Sequence, residues 1–436
     1  MSTKLKVPMM LTNVAAPSLP LRAHKARLCP HCDVLVRLPA MVPGQRARCP
    51  RCRTVLSSYR RYARARSVGY SLSALLLWGL SFPFTFIVFQ VAGLRSVVSL
   101  QDIPAAMTAG HYALLSVLVW WVVLVTPALT LVLLALLGSN VLPGQSLRRQ
   151  ALRALQWLRL GCMAEIFVAG TLVSFVKLMA YGNIDVGLSF YPLCGFVLLL
   201  IPALYHTPYE ALWCSVASRP ALPKNVMAGR TGLRQGLRCC PCCQAVLPNT
   251  STPCPRCQVS APARRSNRQH ALTWSLLMTS VLLYLPANLL PLMTTVVAGT
   301  AYPSTIIAGV ILLWEEGSYP VALVIFIASL LVPTLKMLAI GWLCYGGGQG
   351  RTLEECERRF GVYEMVEFVG RWSMVDVFVI AVLGALVRMG SLMQIAPAPG
   401  VLLFCAVVLL TMVAVSCFDP RLIWDGLAEK EKTCRT

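Results

Sequence analysis

Cys29-Pro30-His31-Cys32 followed by Cys49-Pro50-Arg51-Cys52, then Cys240-Pro241-Cys242-Cys243 followed by Cys254-Pro255-Arg256-Cys257, decide how this 436-residue chain is organised. Four thiolates delivered by two Cys-x-x-Cys turns close a tetrahedral zinc site and leave no open coordination position, so each pair of turns reads as a structural zinc ribbon rather than a hydrolytic centre. The expected ligands are Cys29, Cys32, Cys49 and Cys52 in the first ribbon and Cys240, Cys243, Cys254 and Cys257 in the second, two zinc ions in all. Cys239-Cys240-Pro241-Cys242-Cys243 also offers the register Cys239/Cys242; Cys240/Cys243 is preferred because it puts Pro241 where the other knuckles carry theirs. Disulfide exchange through Cys-x-x-Cys is the rival reading, and a reducing cytoplasm argues against it. His31 sits inside a knuckle and is expected in a solvated role; most of the remaining cysteines are expected as small packing residues.

Cys240 lies 211 positions after Cys29, and the same offset carries Met163-Ala164-Glu165-Ile166-Phe167-Val168 onto Met374-Val375-Asp376-Val377-Phe378-Val379. A shared offset for ribbons and apolar segments points to a tandem repeat. The chain is 57% hydrophobic and 13% charged, and its apolar residues gather in runs long enough to cross ~30 Å of hydrocarbon. Eight such runs are expected, near 68–91, 111–138, 159–181, 190–206, 271–298, 319–345, 366–389 and 398–418, with 304–314 as a short outer re-entrant or interfacial segment.

The fold class is therefore an all-α polytopic membrane protein of two tandem repeats, each a cytoplasmic four-cysteine zinc ribbon plus four transmembrane helices. The expected divisions are an N-terminal tail (1–26), ribbon 1 (27–57), four helices (68–206), ribbon 2 (237–260), four helices (271–418) and a cytoplasmic tail (419–436). The first 65 residues lack the short apolar core of a cleavable signal peptide.

A net charge of +22 would suggest nucleic acid in a soluble chain. Here the arginines fall on alternate loops: Arg60, Arg61, Arg64 and Arg66; Arg148, Arg149 and Arg153; Arg264, Arg265 and Arg268; Arg351, Arg358 and Arg359. That alternation places both termini and both ribbons in the cytoplasm. No basic-aromatic interleaving accompanies the ribbons, so no nucleic-acid partner is expected.

Ionisable groups inside spans are costly and face protein or water. Lys336, Asp376 and Thr411 each lie about nine residues from a cytoplasmic end, roughly 12 Å deep at ~1.5 Å per residue. Ser329 and Ser373 share the faces of Lys336 and Asp376, so Ser329, Lys336, Ser373, Asp376 and Thr411 form a candidate transport network. Aligning Thr126-Pro127-Ala128-Leu129-Thr130 on Val332-Pro333-Thr334-Leu335-Lys336 puts Thr130 where the second half has Lys336, while Glu165 matches Asp376. The first half thus keeps an acid without the base. The competing reading makes Lys336 and Asp376 helix anchors, Lys336 snorkelling to headgroups. Glu364, Glu367 and Arg371 make a cytoplasmic-side stripe read as structural.

Several further stretches resemble the paraquat-inducible protein A (PqiA/LetA) inner-membrane family over nearly the whole chain. They are Cys29-Pro30-His31-Cys32-Asp33, the segment Gly161 to Gly187, Leu285-Pro286-Ala287-Asn288, Pro303-Ser304-Thr305-Ile306, Phe368 to Met374 and Phe418 to Asp425. Leu80 departs from the family, whose members tend to carry Asn there. The resemblance implies an inner-membrane subunit of an MCE-type lipid transport system that loads or extracts phospholipid. It also implies a periplasmic MCE-domain tunnel protein (PqiB-like) and an outer-membrane lipoprotein (PqiC-like) as partners. No enzymatic activity is expected, and no G-x-x-x-x-G-K-[ST] loop supports an ATP-driven motor; the Gly346 to Gly350 run lacks the lysine. The alternatives are a non-transporting scaffold or sensor that anchors the tunnel, and a redox-stress membrane protein. Lipid identity, direction, energy source and stoichiometry are left open by the sequence.

Overall fold

In the computed structural model the described residues are 26–433, apart from 92–93, 110–112, 179–182, 224–225, 252, 261–265, 298–299, 316, 318, 347–351, 387 and 390–392. The tail expected over 1–26 falls outside them except for Ala26, as do residues 434–436.

Two hairpins, β1 (Ala26–Leu28) with β2 (Leu35–Arg37) and β3 (Arg46–Arg48) with β4 (Val55–Ser58), carry the first pair of Cys-x-x-Cys turns. The first half continues with α1 (Ala63–Leu80), the hairpin β5 (Ile87–Val91) and β6 (Leu94–Val98), then α2 (Asp102–Ala109), α3 (Ala113–Val119), α4 (Thr126–Ser139), α5 (Gln145–Gly161), α6 (Ala164–Leu178), β7 (Asn183–Val186), α7 (Phe190–His206) and α8 (Tyr209–Val216). The hairpin β8 (Leu237–Cys239) and β9 (Val246–Pro248) opens ribbon 2. The second half runs α9 (Ser266–Leu289), β10 (Met293–Val297), β11 (Thr300–Ser304), α10 (Ile306–Glu315), α11 (Tyr319–Phe326), α12 (Val332–Tyr345), α13 (Leu353–Trp372), α14 (Val375–Leu386), β12 (Arg388–Met389), β13 (Met393–Pro397), α15 (Gly400–Cys417) and α16 (Leu422–Thr433).

Among the described residues six helices are long and apolar enough to cross a membrane, or seven if the pair Phe190–His206 and Tyr209–Val216, bent by 57°, is one span. Many of their apolar side chains face outward, Leu198, Leu282 and Leu338 among them. Exposed apolar side chains on that scale belong against lipid rather than water.

Two expectations need correction. The chain is not all-α: beyond the ribbons it holds a three-stranded sheet, β6-β5-β7, and a four-stranded sheet, β11-β10-β13-β12. The first expected span, 68–91, is not a helix throughout, because α1 stops at Leu80 and Ile87–Val91 is a strand. Ser81 closes the helix, its hydroxyl donating to the Trp78 carbonyl at 2.6 Å. Pro83 removes a backbone donor just beyond, and the Ile-Val-Phe-Gln-Val run that follows suits a pleated surface. The fifth span, expected over 271–298, likewise gives way to β10 from Met293.

The two halves carry matching strand pairings and helix breaks. Ile87 pairs with Val98 and Val186 in the first sheet, while Met293 pairs with Ser304 and Pro397 in the second. Both halves also widen one helix into a π turn just before a proline, at Trp120–Val125 before Pro127 and at Ile327–Leu331 before Pro333. Proline cannot donate to the preceding turn, and a wider turn accommodates the mismatch. In the first half the Thr126 hydroxyl lies 3.1 Å from the Trp121 carbonyl and 2.9 Å from that of Val122, serving acceptors at the break.

The halves meet through equivalent helices. α6 packs on α14, and Phe167 and Phe378, 211 positions apart, meet edge-on at 5.7 Å between ring centroids. Gly170 lets them approach: a Cβ there would stand 3.1 Å from the Cβ of Phe378 and 3.3 Å from the Val375 carbonyl oxygen. Around this contact lies the largest buried apolar cluster, drawn from both halves.

Candidate functional site

Four knuckles share one local geometry. The residue after the second cysteine, Asp33, Arg53, Gln244 or Gln258, takes a positive φ of 53–59°. Its amide donates back to the carbonyl of the first cysteine, and that cysteine's own amide donates to the residue five positions on. Left-handed backbone is costly for non-glycine residues, so its recurrence at all four places reflects the tight turn that aims two sulfurs at one point.

Cys29, Cys32, Cys49 and Cys52 bring their sulfurs within 4.8 Å of one another, and so do Cys240, Cys243, Cys254 and Cys257, all eight buried. The Cys29–Cys52, Cys32–Cys49, Cys240–Cys257 and Cys243–Cys254 separations are 3.4, 3.5, 3.5 and 3.7 Å. Tetrahedral zinc with bonds of ~2.3 Å sets its sulfurs about 3.8 Å apart, so the donor sets fit that ion with little adjustment. Thiols this crowded resist joint ionisation: the hydrogen bond that Cys32 donates to Cys29 in one site, and Cys243 to Cys240 in the other, with burial, pushes Cys32 and Cys243 far above the ordinary thiol range. A divalent cation between them removes that penalty.

The register of ribbon 2 is settled by position. Cys239 lies on β8 in a buried apolar cluster with Leu28, Leu35 and Val246, outside the four-thiol group. His31 is half-buried rather than fully solvated; its ring meets Phe360 edge-on at 5.3 Å. Of the other cysteines, Cys162, Cys344, Cys356 and Cys405 are buried, as packing residues should be, Cys214 is exposed, and Cys434 lies outside the described residues.

Each ribbon docks on the helices of the opposite half, an arrangement with no sequence signal. Ribbon 1 shares a cluster with Phe360, Tyr363 and Trp424. There Arg51 lies over the Trp424 ring at 5.1 Å, and Arg421 donates to the Pro30 carbonyl at 3.2 Å and pairs with Asp33 at 3.8 Å. Ribbon 2 shares a cluster with Leu152, Leu155 and Trp213. Arg153 and Gln156 of α5 donate to the carbonyls of Cys257 and Cys242. Trp213 and Trp424 are equivalent positions, 2% and 1% exposed, so the same anchor serves both docks.

Glu210 gathers three arginines: Arg27 of ribbon 1 at 2.9 Å, Arg219 at 2.7 Å and Arg256 of ribbon 2 at 3.3 Å. Ribbon 1 also meets the segment leading into ribbon 2, through the bridge between Val34 and Thr231 and the Leu233 amide donating to Asp33 at 2.8 Å, and Leu28 and Leu35 pack with Leu237 and Val246 of ribbon 2.

Within the helices, Lys336 is 3% exposed and its ammonium donates to the Thr411 hydroxyl at 2.8 Å. That hydroxyl lies 2.9 Å from the Val408 carbonyl. Gly370 of α13 faces the lysine: a Cβ there would stand at ordinary contact distance, 3.5 Å, from both Cε and Nζ, so only a side chain larger than a methyl would press on it. Ser373 is buried one turn beyond Gly370, and Ser329 is buried in the π turn ahead of Lys336. Asp376 is half-buried in the first turn of α14. Thr130, the counterpart of Lys336, is fully buried and donates to the Thr126 carbonyl at 2.6 Å. Of the five candidate network residues, Lys336 and Thr411 are thus brought into direct contact.

A helical, multi-pass membrane protein with two four-thiol centres built into cross-docked ribbons is the class these features define. The family model for paraquat-inducible protein A matches residues 65–217 and 271–428. The chain is 50% identical over 411 residues to the intermembrane transport protein PqiA of Escherichia coli (strain K12), covering 94% of this chain and 98% of that one. It is 30% identical over 409 residues to the lipophilic envelope-spanning tunnel protein A of the same organism, 91% of each chain. A probable intermembrane transport protein of Haemophilus influenzae is 28% identical over 416 residues, 93% of this chain and 96% of that one. No solved structure matches the chain. The chain belongs to the paraquat-inducible protein A family.

Proposed function

We propose that the protein is the inner-membrane subunit of an MCE-type intermembrane lipid transport system, built from two copies of one ribbon-plus-helices unit. In this reading it loads or extracts phospholipid for a periplasmic MCE-domain tunnel protein (PqiB-like), with an outer-membrane lipoprotein (PqiC-like) beyond it, and supports envelope integrity. The observation that carries it is identity of 50% across 94% of the chain to a protein named for intermembrane transport. Relatives named as transport proteins fit a chain that is not an enzyme. The alternation of basic loops supports ribbons and termini on the cytoplasmic side, and the thiol geometry supports two structural zinc ions.

Energy would come from protons through Ser329, Lys336, Ser373, Asp376 and Thr411. A buried ammonium with a hydroxyl as its partner favours such a role over simple anchoring, since an anchor gains more from an apolar side chain of the same volume. The test is lipid transfer in reconstituted membranes with the tunnel partner present. Lys336→Ala and Asp376→Asn should abolish transfer at normal protein level, while Glu165→Gln, whose half carries Thr130 in place of the lysine, should be milder. Full transfer by Asp376→Asn at normal expression would remove proton coupling.

A further inference from the structure

Between the start of α6 and the last two turns of α13 lies an open cavity of about 320 Å³ lined by Glu165, Ile166, Glu364, Glu367, Phe368, Arg371 and Trp372. Its charges are three carboxylates and one guanidinium. Glu364, Glu367 and Arg371 are exposed and have no side-chain ion-pair partner among the described residues. Charged groups that complete one another inside the protein need no ligand; here Arg371 acts electrostatically on Glu165, and the three carboxylates are two more than the one guanidinium can balance. Phe368 and Trp372 at its mouth are 66% and 45% exposed, and exposed aromatic rings beside charge mark the headgroup level of a bilayer. Arg371 directly follows Gly370, which faces Lys336: a Cβ there would stand 3.5 Å from the ammonium. The inner end of the cavity is therefore at the depth of that lysine, and its outer end, two turns back along α13, is nearer the headgroups.

The repeat shows that this cavity is not a by-product of the fold. The first-half equivalents of Glu364 and Glu367 are Arg153 and Gln156, and both are used to hold ribbon 2. Arg371 corresponds to Leu160. The same face of the same helix has been given over to charges that serve no docking contact in the second half.

We propose that this cavity binds the headgroup of a zwitterionic aminophospholipid, with the ammonium among Glu165, Glu364 and Glu367 and the phosphate on Arg371. Charge complementarity selects this class: an anionic headgroup without an amine would face three carboxylates with one arginine, while a zwitterion satisfies both signs. The aromatic mouth lets acyl chains leave sideways along Phe368 and Trp372 into the bilayer. The inference rests on the lipid-transport reading and names the lipid class that reading would move.

The full-length protein, without its tunnel partner, is placed in nanodiscs of equal phosphatidylethanolamine and phosphatidylglycerol with matched chains. Lipids retained on extraction are then counted by native mass spectrometry. Wild type should retain phosphatidylethanolamine at least about threefold over phosphatidylglycerol, the scale expected for partly exposed ion pairs. Glu364→Gln with Glu367→Gln should bring the ratio to that of the bulk lipid, and Arg371→Gln should lower retention of both lipids. No preference in wild type would overturn the proposal, as would a preference unchanged in variants that reach the membrane at normal level. Water-soluble phosphoethanolamine displacing the bound lipid at equal concentration would assign the cavity to a soluble ligand and equally overturn it. Loss of transfer with headgroup preference intact would count against the proposed function alone.

Discussion

Replacing Trp424 by alanine should loosen the ribbon nearly four hundred residues earlier in the chain while sparing the ribbon of its own half. Trp424 is 1% exposed and shared between Phe360, 6.1 Å away on α13, and Arg51 of ribbon 1, 5.1 Å above its ring. Truncating a buried tryptophan costs about 3–5 kcal/mol. Assigning roughly half of that to the ribbon-facing side gives ~2 kcal/mol, within which a desolvated cation–π contact of ~1 kcal/mol fits. At 1.4 kcal/mol per tenfold, the undocked population of ribbon 1 should rise about thirtyfold. Hydrogen exchange read by mass spectrometry reports it directly, since amides in β1 to β4 exchange through undocking when opening is local. Ribbon 2 should keep its protection, because its anchor is Trp213. Trp213→Ala should give the mirror result. If Trp424→Ala instead exposed ribbon 2 and left ribbon 1 protected, the crossed docking would be wrong.

Other outcomes follow from the same geometry. Glu210→Ala should loosen both ribbons together, because Arg27 of one and Arg256 of the other lose their acid. Breaking the fully buried Arg256 pair should cost about 3 kcal/mol, at the lower end for a buried pair because Glu210 is partly exposed, and exchange in both ribbons measures it. Cys254→Ser should reduce bound zinc from two ions to one per chain by elemental analysis and lower protein abundance, since a closed thiolate site is part of the fold. Gly370→Val should impair lipid transfer without altering any charge, by pressing on the Lys336 ammonium; unchanged transfer would show that the lysine needs no such room. Lys336→Met should leave thermal stability unchanged or raised by about 1–3 kcal/mol while transfer is lost; a large fall in stability would make the lysine a structural anchor.

The knuckles were legible because metal chemistry fixes both residue type and spacing; even the choice of Cys240 over Cys239 followed from proline position. Apolar runs were legible as membrane segments but not where each helix stops. Phe86 to Val91 continues the apolar run of α1, and the pairing of Ile87–Val91 with β6 and β7 makes it a strand. Composition carries no trace of such long-range pairing. His31 was misplaced for a related reason: its neighbours, Phe360 and Tyr363, come from a helix more than three hundred positions away. The crossed docking of ribbons escaped the sequence for the same cause. Glu364, Glu367 and Arg371 were visible as a helical stripe, yet helical spacing alone could not place Glu165 across the cavity from them.

Read as two copies of one unit, the halves give a way to separate what the fold requires from what the function requires. Where equivalent positions keep the same chemistry, they hold the structure: four identical knuckles, Trp213 and Trp424 under the ribbons, Phe167 against Phe378, and the sheet registers. Where they diverge, stability alone does not explain the choice. Thr130 satisfies itself on a backbone carbonyl, whereas Lys336 brings a buried ammonium that reaches across to Thr411. Arg153 closes a ribbon dock, whereas Glu364 leaves a carboxylate in an open cavity. Both departures fall in the second half, and Gly370 and Arg371, adjacent on α13, join them: one faces the lysine and the other lines the cavity. A headgroup bound at Arg371 would therefore sit one residue from the backbone against which Lys336 rests. Occupancy of the cavity and the charge on Lys336 would then influence each other. Such coupling is reciprocal: if bound lipid alters protonation at Lys336, Lys336→Met must alter lipid retention in the nanodisc measurement. Unchanged retention in that variant would make the cavity and the lysine independent devices on one helix.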